Sequence, residues 1–215
     1  MIEILPRLLK ALGTTAQVSI VSLLLGTIIG LGMGVIRVIG PKIFHPIVDV
    51  FVAIVRGTPV AIQIYSAFFL LPRFGIDLST FQVGVIALTF NSTGYQIEIV
   101  RAALQSIDKG QLEAAASLGL AKWKTMWLIT LPQAAQRMIP PLTNELANLI
   151  KASSALSIIA LYELTRAGQA IIAGTFKFAE VLFLVSLLYY ILIQLLSLVS
   201  NYLEQKVFNF RAPTS

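Results

Sequence analysis

Asn91, Tyr95 and Glu98 recur at i, i+4 and i+7 within an otherwise apolar stretch, which puts them on one face of a helix with Ser92 and Gln96 alongside. Amide, phenol, hydroxyl and carboxylate groups in that arrangement can hold a polar solute by hydrogen bonding. They form no nucleophile–base pair and no metal-ligand cluster. In hydrocarbon such groups cost several kcal/mol each unless partnered, so this face is expected to look into protein. Acidic residues carry the stronger signal. Asp49, Glu98, Glu145, Glu163 and Glu180, among ten acidic residues in all, fall where a membrane would exclude them. An unpaired carboxylate near the bilayer centre costs about 2.5–3.5 kcal/mol. Glu98 has Arg101 one turn on, which favours a structural ion pair, and Glu180 is expected at an outer interface. Glu163 lies beside Tyr162, between two apolar blocks, with Arg166 one turn later. It either pairs with Arg166 or receives a cationic group from outside the chain.

The elements that must position these residues are membrane helices. The 215 residues are 57% hydrophobic and 12% charged, with a mean hydropathy of +0.84, which excludes an ordinary soluble domain. A spanning helix needs about 20 mainly apolar residues. The expected fold is all-α, a polytopic membrane protein with five spans at 16–36, 46–71, 83–104, 133–150 and 181–202, preceded by an interfacial helix over 1–13. Gly26, Gly30 and Gly34 repeat every four residues on one face of the first span and mark close helix packing. In the second span Pro59 lacks the N–H that would bond back to Val55, so a kink and a free carbonyl are expected there, bordered by Thr58, Gln63 and Ser66. Pro140-Pro141 should kink the fourth span, which also carries Asn144, Glu145 and Asn148. Residues 157–180 are too polar to span cleanly and read as a helix buried in protein near mid-membrane.

The chain has no cysteine, so disulfides, thiolate metal sites and a cysteine nucleophile are excluded, and the single His45 cannot build a histidine metal site. No Gly-Lys pair is present, so a Walker-type phosphate loop is absent. The net charge of +6 does not call for nucleic acid, because nine of the 16 Lys and Arg gather in three loops, at 37–42, 101–137 and 206–211. With five spans these loops share one side, which the positive-inside rule makes the cytoplasm, leaving the N-terminus outside and the C-terminus cytoplasmic.

One segment between apolar blocks reads as water-facing: Gln111 to Pro132, with Glu113, Ala114, Ala115, Gly119 and Leu120, then Ile129, Leu131 and Pro132. This spacing resembles the EAA loop of permease subunits of bacterial ABC importers, where a short coupling helix docks into a groove on an ATPase. Arg56-Gly57-Thr58-Pro59, Glu98 to Arg101 and Lys151 to Leu156 resemble the polar amino-acid branch of the same family. The likeness covers essentially the whole chain, 1–215, as a single transmembrane domain of the cell inner membrane.

The resemblance implies a transport subunit rather than an enzyme, paired with a second permease subunit as a homo- or heterodimer. It also implies two cytoplasmic ATPase subunits that bind the ATP and Mg, and an extracytoplasmic solute-binding protein that delivers an amino acid. This chain itself is expected to bind no cofactor and no metal. On that reading Glu163, beside Tyr162, receives the cationic side chain of arginine, lysine or histidine, while Asn91, Ser92, Gln96 and Thr58 hold the α-amino and α-carboxylate groups. If Arg166 neutralises Glu163, the substrate is uncharged, such as glutamine. A secondary transporter or channel would leave the coupling segment unexplained, and no internal repeat is visible.

Overall fold

The computed structural model describes residues 4–207, with side chains to 202, and all its regular structure there is helical. The helices are α1 (Ile4–Ile39), α2 (His45–Gly57), α3 (Val60–Leu70), α4 (Thr80–Gln105), α5 (Lys109–Ser117), α6 (Lys122–Thr125), α7 (Leu131–Ala152), α8 (Leu164–Thr175) and α9 (Phe178–Val207). A π-helical turn, Met126–Thr130, joins α6 to α7, and a 3-10 segment, Ser153–Ile159, leads from α7 toward α8. Glu3 and Arg211 lie outside the described residues.

α1 is a single helix of 36 residues, so the expected interfacial helix and first span are one element. It threads three apolar clusters in turn. Leu8 and Ala11 pack with Leu164, Ala167 and Ile171 of α8 and with Val181 and Val185 of α9. Val18 packs with Ile64, Leu88, Leu149 and Leu156. Leu31, Val35 and Val38 cover Val100, Leu104, Met126, Ala134 and Met138. The order of residues through these clusters gives α1 and α4 one direction and α7 the opposite one. α9 runs with α1, from the α8 end down to Ser200, whose hydroxyl lies 2.6 Å from that of Thr143 on α7.

α4 is the centre of the molecule. The glycine stripe of α1 lies directly on it: a Cβ at Gly26 would stand 2.6 Å from Gln96 Nε2, one at Gly30 2.9 Å from Gln96 Cβ, and one at Gly34 2.6 Å from Val100 Cγ1. On another side Gly94 admits Val55 of α2, whose Cγ1 would be 2.6 Å from a Cβ there. The stripe is therefore spent on packing within the chain and is not a free face for a second subunit.

Among the described residues, only α1 and the 178–202 part of α9 are long and apolar enough to cross a membrane unaided. Two bent pairs would add a crossing each: 42–57 with 60–74, bent by 104°, and 122–159 with 164–175, bent by 49°. α4 has the length, at 26 residues, but polar side chains on its buried faces lower its hydropathy. The bend at Pro59 is far sharper than a kink, because α2 ends at Gly57 and α3 starts afresh at Val60 with Pro59 in extended conformation. α7, by contrast, passes through Pro140 and Pro141 without a break.

The α1–α4 contact leaves no room for a methyl group at Gly30, whereas Gly32 faces open space. Gly30→Ala is expected to destabilise by about 1–3 kcal/mol and Gly32→Ala to be neutral or slightly stabilising, as for any exposed helical glycine. Thermal unfolding of the two variants in detergent measures both.

Candidate functional site

The break between α2 and α3 opens a pocket. Where α2 stops, its last carbonyls have no helical partner. Thr58 Oγ1 donates to the carbonyl of Ile54 at 2.9 Å, and Gln63 Nε2 donates to that of Val55 at 2.8 Å. The freed carbonyl expected from Pro59 is thus satisfied by a side chain one turn into α3. The extended Thr58-Pro59 segment is set against α4 and α7, and a cavity of about 510 Å³ lies between them. Arg56, Thr58 and Pro59 form one wall, Asn91 and Tyr95 a second, and Glu145, Asn148 and Ala152 a third.

The charges in this cavity are of both signs. The Arg56 guanidinium lies 5.5 Å from the centre of the Tyr95 ring, a cation–π contact. Among the described residues it has no carboxylate partner. Glu145 is only 5% exposed and accepts the Ser92 hydroxyl at 2.7 Å on Oε1. Glu145 and Asn148 stand one turn apart on α7, so the helix presents both to the same space. A second hollow of about 630 Å³ shares Arg56, Tyr95, Glu145 and Asn148 with the first and continues along α4 and α7 past Glu98 and Arg101 to Arg137. A cation, a carboxylate and two side-chain amides around one cavity complement a small zwitterion.

Of the residues expected at the site, the structure brings Asn91 and Thr58 to the cavity wall. Ser92 lies beneath it, its hydroxyl given to Glu145 and its oxygen accepting from Gln96 Nε2 at 2.8 Å. Gln96 is fully buried under α1 and also donates to the carbonyl of Leu23 at 3.2 Å. Glu98 pairs with Arg101 at 2.6 Å, as the spacing suggested.

Glu163 is placed differently from a carboxylate open to a solute. It has no exposure and caps the N-terminus of α8, accepting the backbone N–H groups of Thr165 at 2.9 Å and Arg166 at 2.7 Å and the Tyr189 hydroxyl at 3.0 Å. Arg166 meets it through its main chain, and no Glu163–Arg166 ion pair forms. Tyr162 is exposed and lines neither hollow. The residues that sequence reasoning left unassigned are Glu145, Asn148 and Arg56. The i, i+3 spacing of Glu145 and Asn148, and an arginine just ahead of a helix-breaking proline, were the available signals.

The water-facing segment 111–132 is not one element. Asp108 caps α5 by accepting the N–H of Gly110 at 2.7 Å. α5 ends in a Schellman turn, with Gly119 N–H to Ala116 O at 2.9 Å and Leu120 N–H to Ala115 O at 3.1 Å. Gly119 has φ +73° and nothing within 4 Å of where a Cβ would be. Its necessity is therefore the left-handed turn, not a close approach within the chain. Ala115 is buried and Leu120 half-buried, while Glu113, Ala114 and Leu118 are exposed, Leu118 by 81%. An exposed leucine at the end of a short helix presents apolar surface outward. Gln133 Nε2 ties α5 to α7 through Gln111 Oε1 at 2.6 Å, and Arg137 ties α7 to the end of α4 through the carbonyl and hydroxyl of Ser106.

Known proteins share this helical fold. The family model described as binding-protein-dependent transport system inner membrane component matches residues 22–209. The chain is 38% identical over 205 residues to the glutamine transport system permease protein GlnP of Escherichia coli, covering 94% of each. It is 34% identical over 204 residues to the arginine transport system permease protein ArtQ of Bacillus subtilis, covering 94% of this chain and 93% of that one. Among solved structures, a chain of an amino acid ABC transporter crystallised with histidines superposes with a TM-score of 0.89 at 29% identity over 96% of both chains. A chain of the inward-facing MetNI methionine ABC transporter shares the fold, with a TM-score of 0.80 at 23% identity over 93% of this chain and 95% of that one.

The hydrogen bonds at Glu163 yield a direct expectation. Glu163→Ala removes the cap of α8 and leaves the half-buried Tyr189 hydroxyl with Thr165 Oγ1 alone, at 2.9 Å, which is expected to cost about 1–3 kcal/mol. The half-saturating concentration for transport should stay within about twofold of wild type, because the side chain does not reach the cavity. Thermal unfolding and an uptake titration on the same preparation test the two halves.

Proposed function

The chain belongs to the family of inner membrane components of binding-protein-dependent transport systems, and from that premise we propose that it is the permease subunit of an ATP-driven importer of basic amino acids. The observation that carries this reading is the cavity at the α2–α3 break, where Arg56 and Glu145 offer opposite charges to one small volume. Arg56 pairs with the α-carboxylate of the substrate. Glu145, with one oxygen held by Ser92, gives its other oxygen to a cationic group. Asn91, Asn148 and Thr58 complete the polar wall. Ser92 and Gln96 act beneath this wall. Glu163 and Tyr162 stand outside the proposed site, the first because its carboxylate is fully engaged by α8 and Tyr189.

Glutamine is the second reading, supported by the 38% identity to a glutamine permease protein. Its side-chain amide would meet Glu145 and Asn148 through its N–H groups without a full charge.

In this reading α5 and the turn at Gly119 dock on a cytoplasmic ATPase subunit, which binds ATP and Mg. The hollow along α4 and α7 faces a second permease subunit, the same chain or a homologous one, across a two-fold axis. An extracytoplasmic solute-binding protein delivers the amino acid at the opposite end. The N-terminus of α1 lies outside and the C-terminus of α9 in the cytoplasm. The lysines and arginines at 37, 42, 101, 109, 122, 124 and 137 support this orientation, since they gather at the end where α5 is exposed.

Uptake by the complete importer in proteoliposomes tests the assignment. Glu145→Gln is expected to lower arginine uptake at limiting concentration at least tenfold, since a lost contact to a charged group costs about 1.5–3 kcal/mol. Glutamine uptake should fall much less. Equal loss for both would favour the glutamine reading, and loss of neither would move recognition away from this cavity.

The docking turn is tested separately. Gly119→Val forces a branched side chain into a left-handed conformation, whereas Asn tolerates it. Substrate-stimulated ATP hydrolysis is expected to fall severalfold in Gly119→Val and to persist in Gly119→Asn, with both variants inserted in the membrane at wild-type levels.

A further inference from the structure

We propose that Gln63, which does not line the cavity, decides which chemical groups the cavity accepts, by fixing the direction of the Asn91 side-chain amide. An amide is nearly symmetric in shape, so its partners determine which end is oxygen and which nitrogen. Gln63 faces only acceptors on one side. Its nitrogen lies 2.8 Å from Val55 O, 3.2 Å from Thr58 O and 2.8 Å from Thr58 Oγ1. The Thr58 hydroxyl has already spent its proton on Ile54 O, and Val55 O cannot be served by the backbone because residue 59 is proline. A flipped Gln63 would set its oxygen against three others. Its oxygen therefore points the other way, to Asn91.

That orientation propagates. Asn91 Nδ2 donates one N–H to Gln63 Oε1 at 3.0 Å, which turns the nitrogen end of the amide toward Gln63 and its carbonyl end away from it, to the cavity. Together with the Glu145 carboxylate this makes a wall of acceptors. Such a wall takes a ligand's donors, whether ammonium, guanidinium or the N–H groups of an amide, and opposes a carboxylate side chain. A free asparagine would turn to suit either. Gln63 is thus a positioning residue for specificity, and the proline at the helix break sets the chemistry of a ligand it contacts only indirectly.

The inference rests on the cavity being the amino-acid site. Glutamine and glutamate differ in little but the donor, so their relative affinity reads the orientation. Equilibrium binding of each to the permease–ATPase complex, without a solute-binding protein, is the measurement. The wild type is expected to prefer glutamine. Gln63→Leu keeps the volume and removes the clamp, and the preference should fall about tenfold, chiefly through tighter glutamate binding, because the freed Asn91 amide can turn its nitrogen to the carboxylate. Asn91→Leu should lower it similarly, and the double variant should lower it no further, because the two act as one unit.

Equal weakening of both ligands in Gln63→Leu would make the residue merely structural and overturn the proposal. So would an effect of Gln63→Leu that persists in the Asn91→Leu background. If Gln63→Leu fails to assemble, Gln63→Met keeps length and flexibility and is read the same way. Binding that is insensitive to Glu145→Gln and to Asn91→Leu would overturn the assignment of the cavity, and this inference with it. Sensitivity to Glu145→Gln with an unchanged preference in the Gln63 variant would overturn this inference alone.

Discussion

A backbone carbonyl inside a membrane protein must find a donor, and a proline four residues downstream guarantees that the helix will not supply one. In this chain that carbonyl is Val55 O, and the organisation around the cavity follows from how it is satisfied. Gln63 reaches back from α3 to close it, which holds α3 at a sharp angle to α2. The angle leaves Thr58-Pro59 extended and opens the space that Arg56, Asn91 and Glu145 surround.

The same economy governs α4. Its polar residues look like one hydrophilic face in sequence, yet they answer different partners. Gln96 is buried under the glycines of α1, Ser92 supports Glu145, Asn91 meets Gln63, and Glu98 is held by Arg101. Only Asn91 and Tyr95 reach the cavity proper at the helix break. The close approach of α1 depends on Gly26, Gly30 and Gly34, so the glycines and the amide of Gln96 form a single contact in which small size on one helix matches polarity on the other.

How much of this was legible in the sequence varied with how local its cause was. The break at Pro59 and the Glu98–Arg101 pair depend on residues within about one turn, and each is where spacing put it. The partner of the glycine stripe was not readable, because nothing local distinguishes a face for α4 from a face for another subunit. Glu163 misled for a related reason. Glutamate is not among the favoured helix-capping residues, so a carboxylate between apolar blocks reads as a ligand group rather than as the cap of α8. Glu145 escaped notice as a site residue because its importance comes from Ser92, 53 positions away on an antiparallel helix.

The two prolines that α7 absorbs have a mechanical meaning. Pro140 and Pro141 remove consecutive rungs from the hydrogen-bond ladder, those that would have ended on the carbonyls of Gln136 and Arg137. They lie between the end of α7 tied to α5 and α4, through Gln133 and Arg137, and the stretch that carries Glu145 and Asn148. A helix weakened at one level bends there before it bends elsewhere. The hydrogen-bond ladder of α7 is thus thinnest between its ties to α5 and α4 and the turn that carries Glu145 and Asn148.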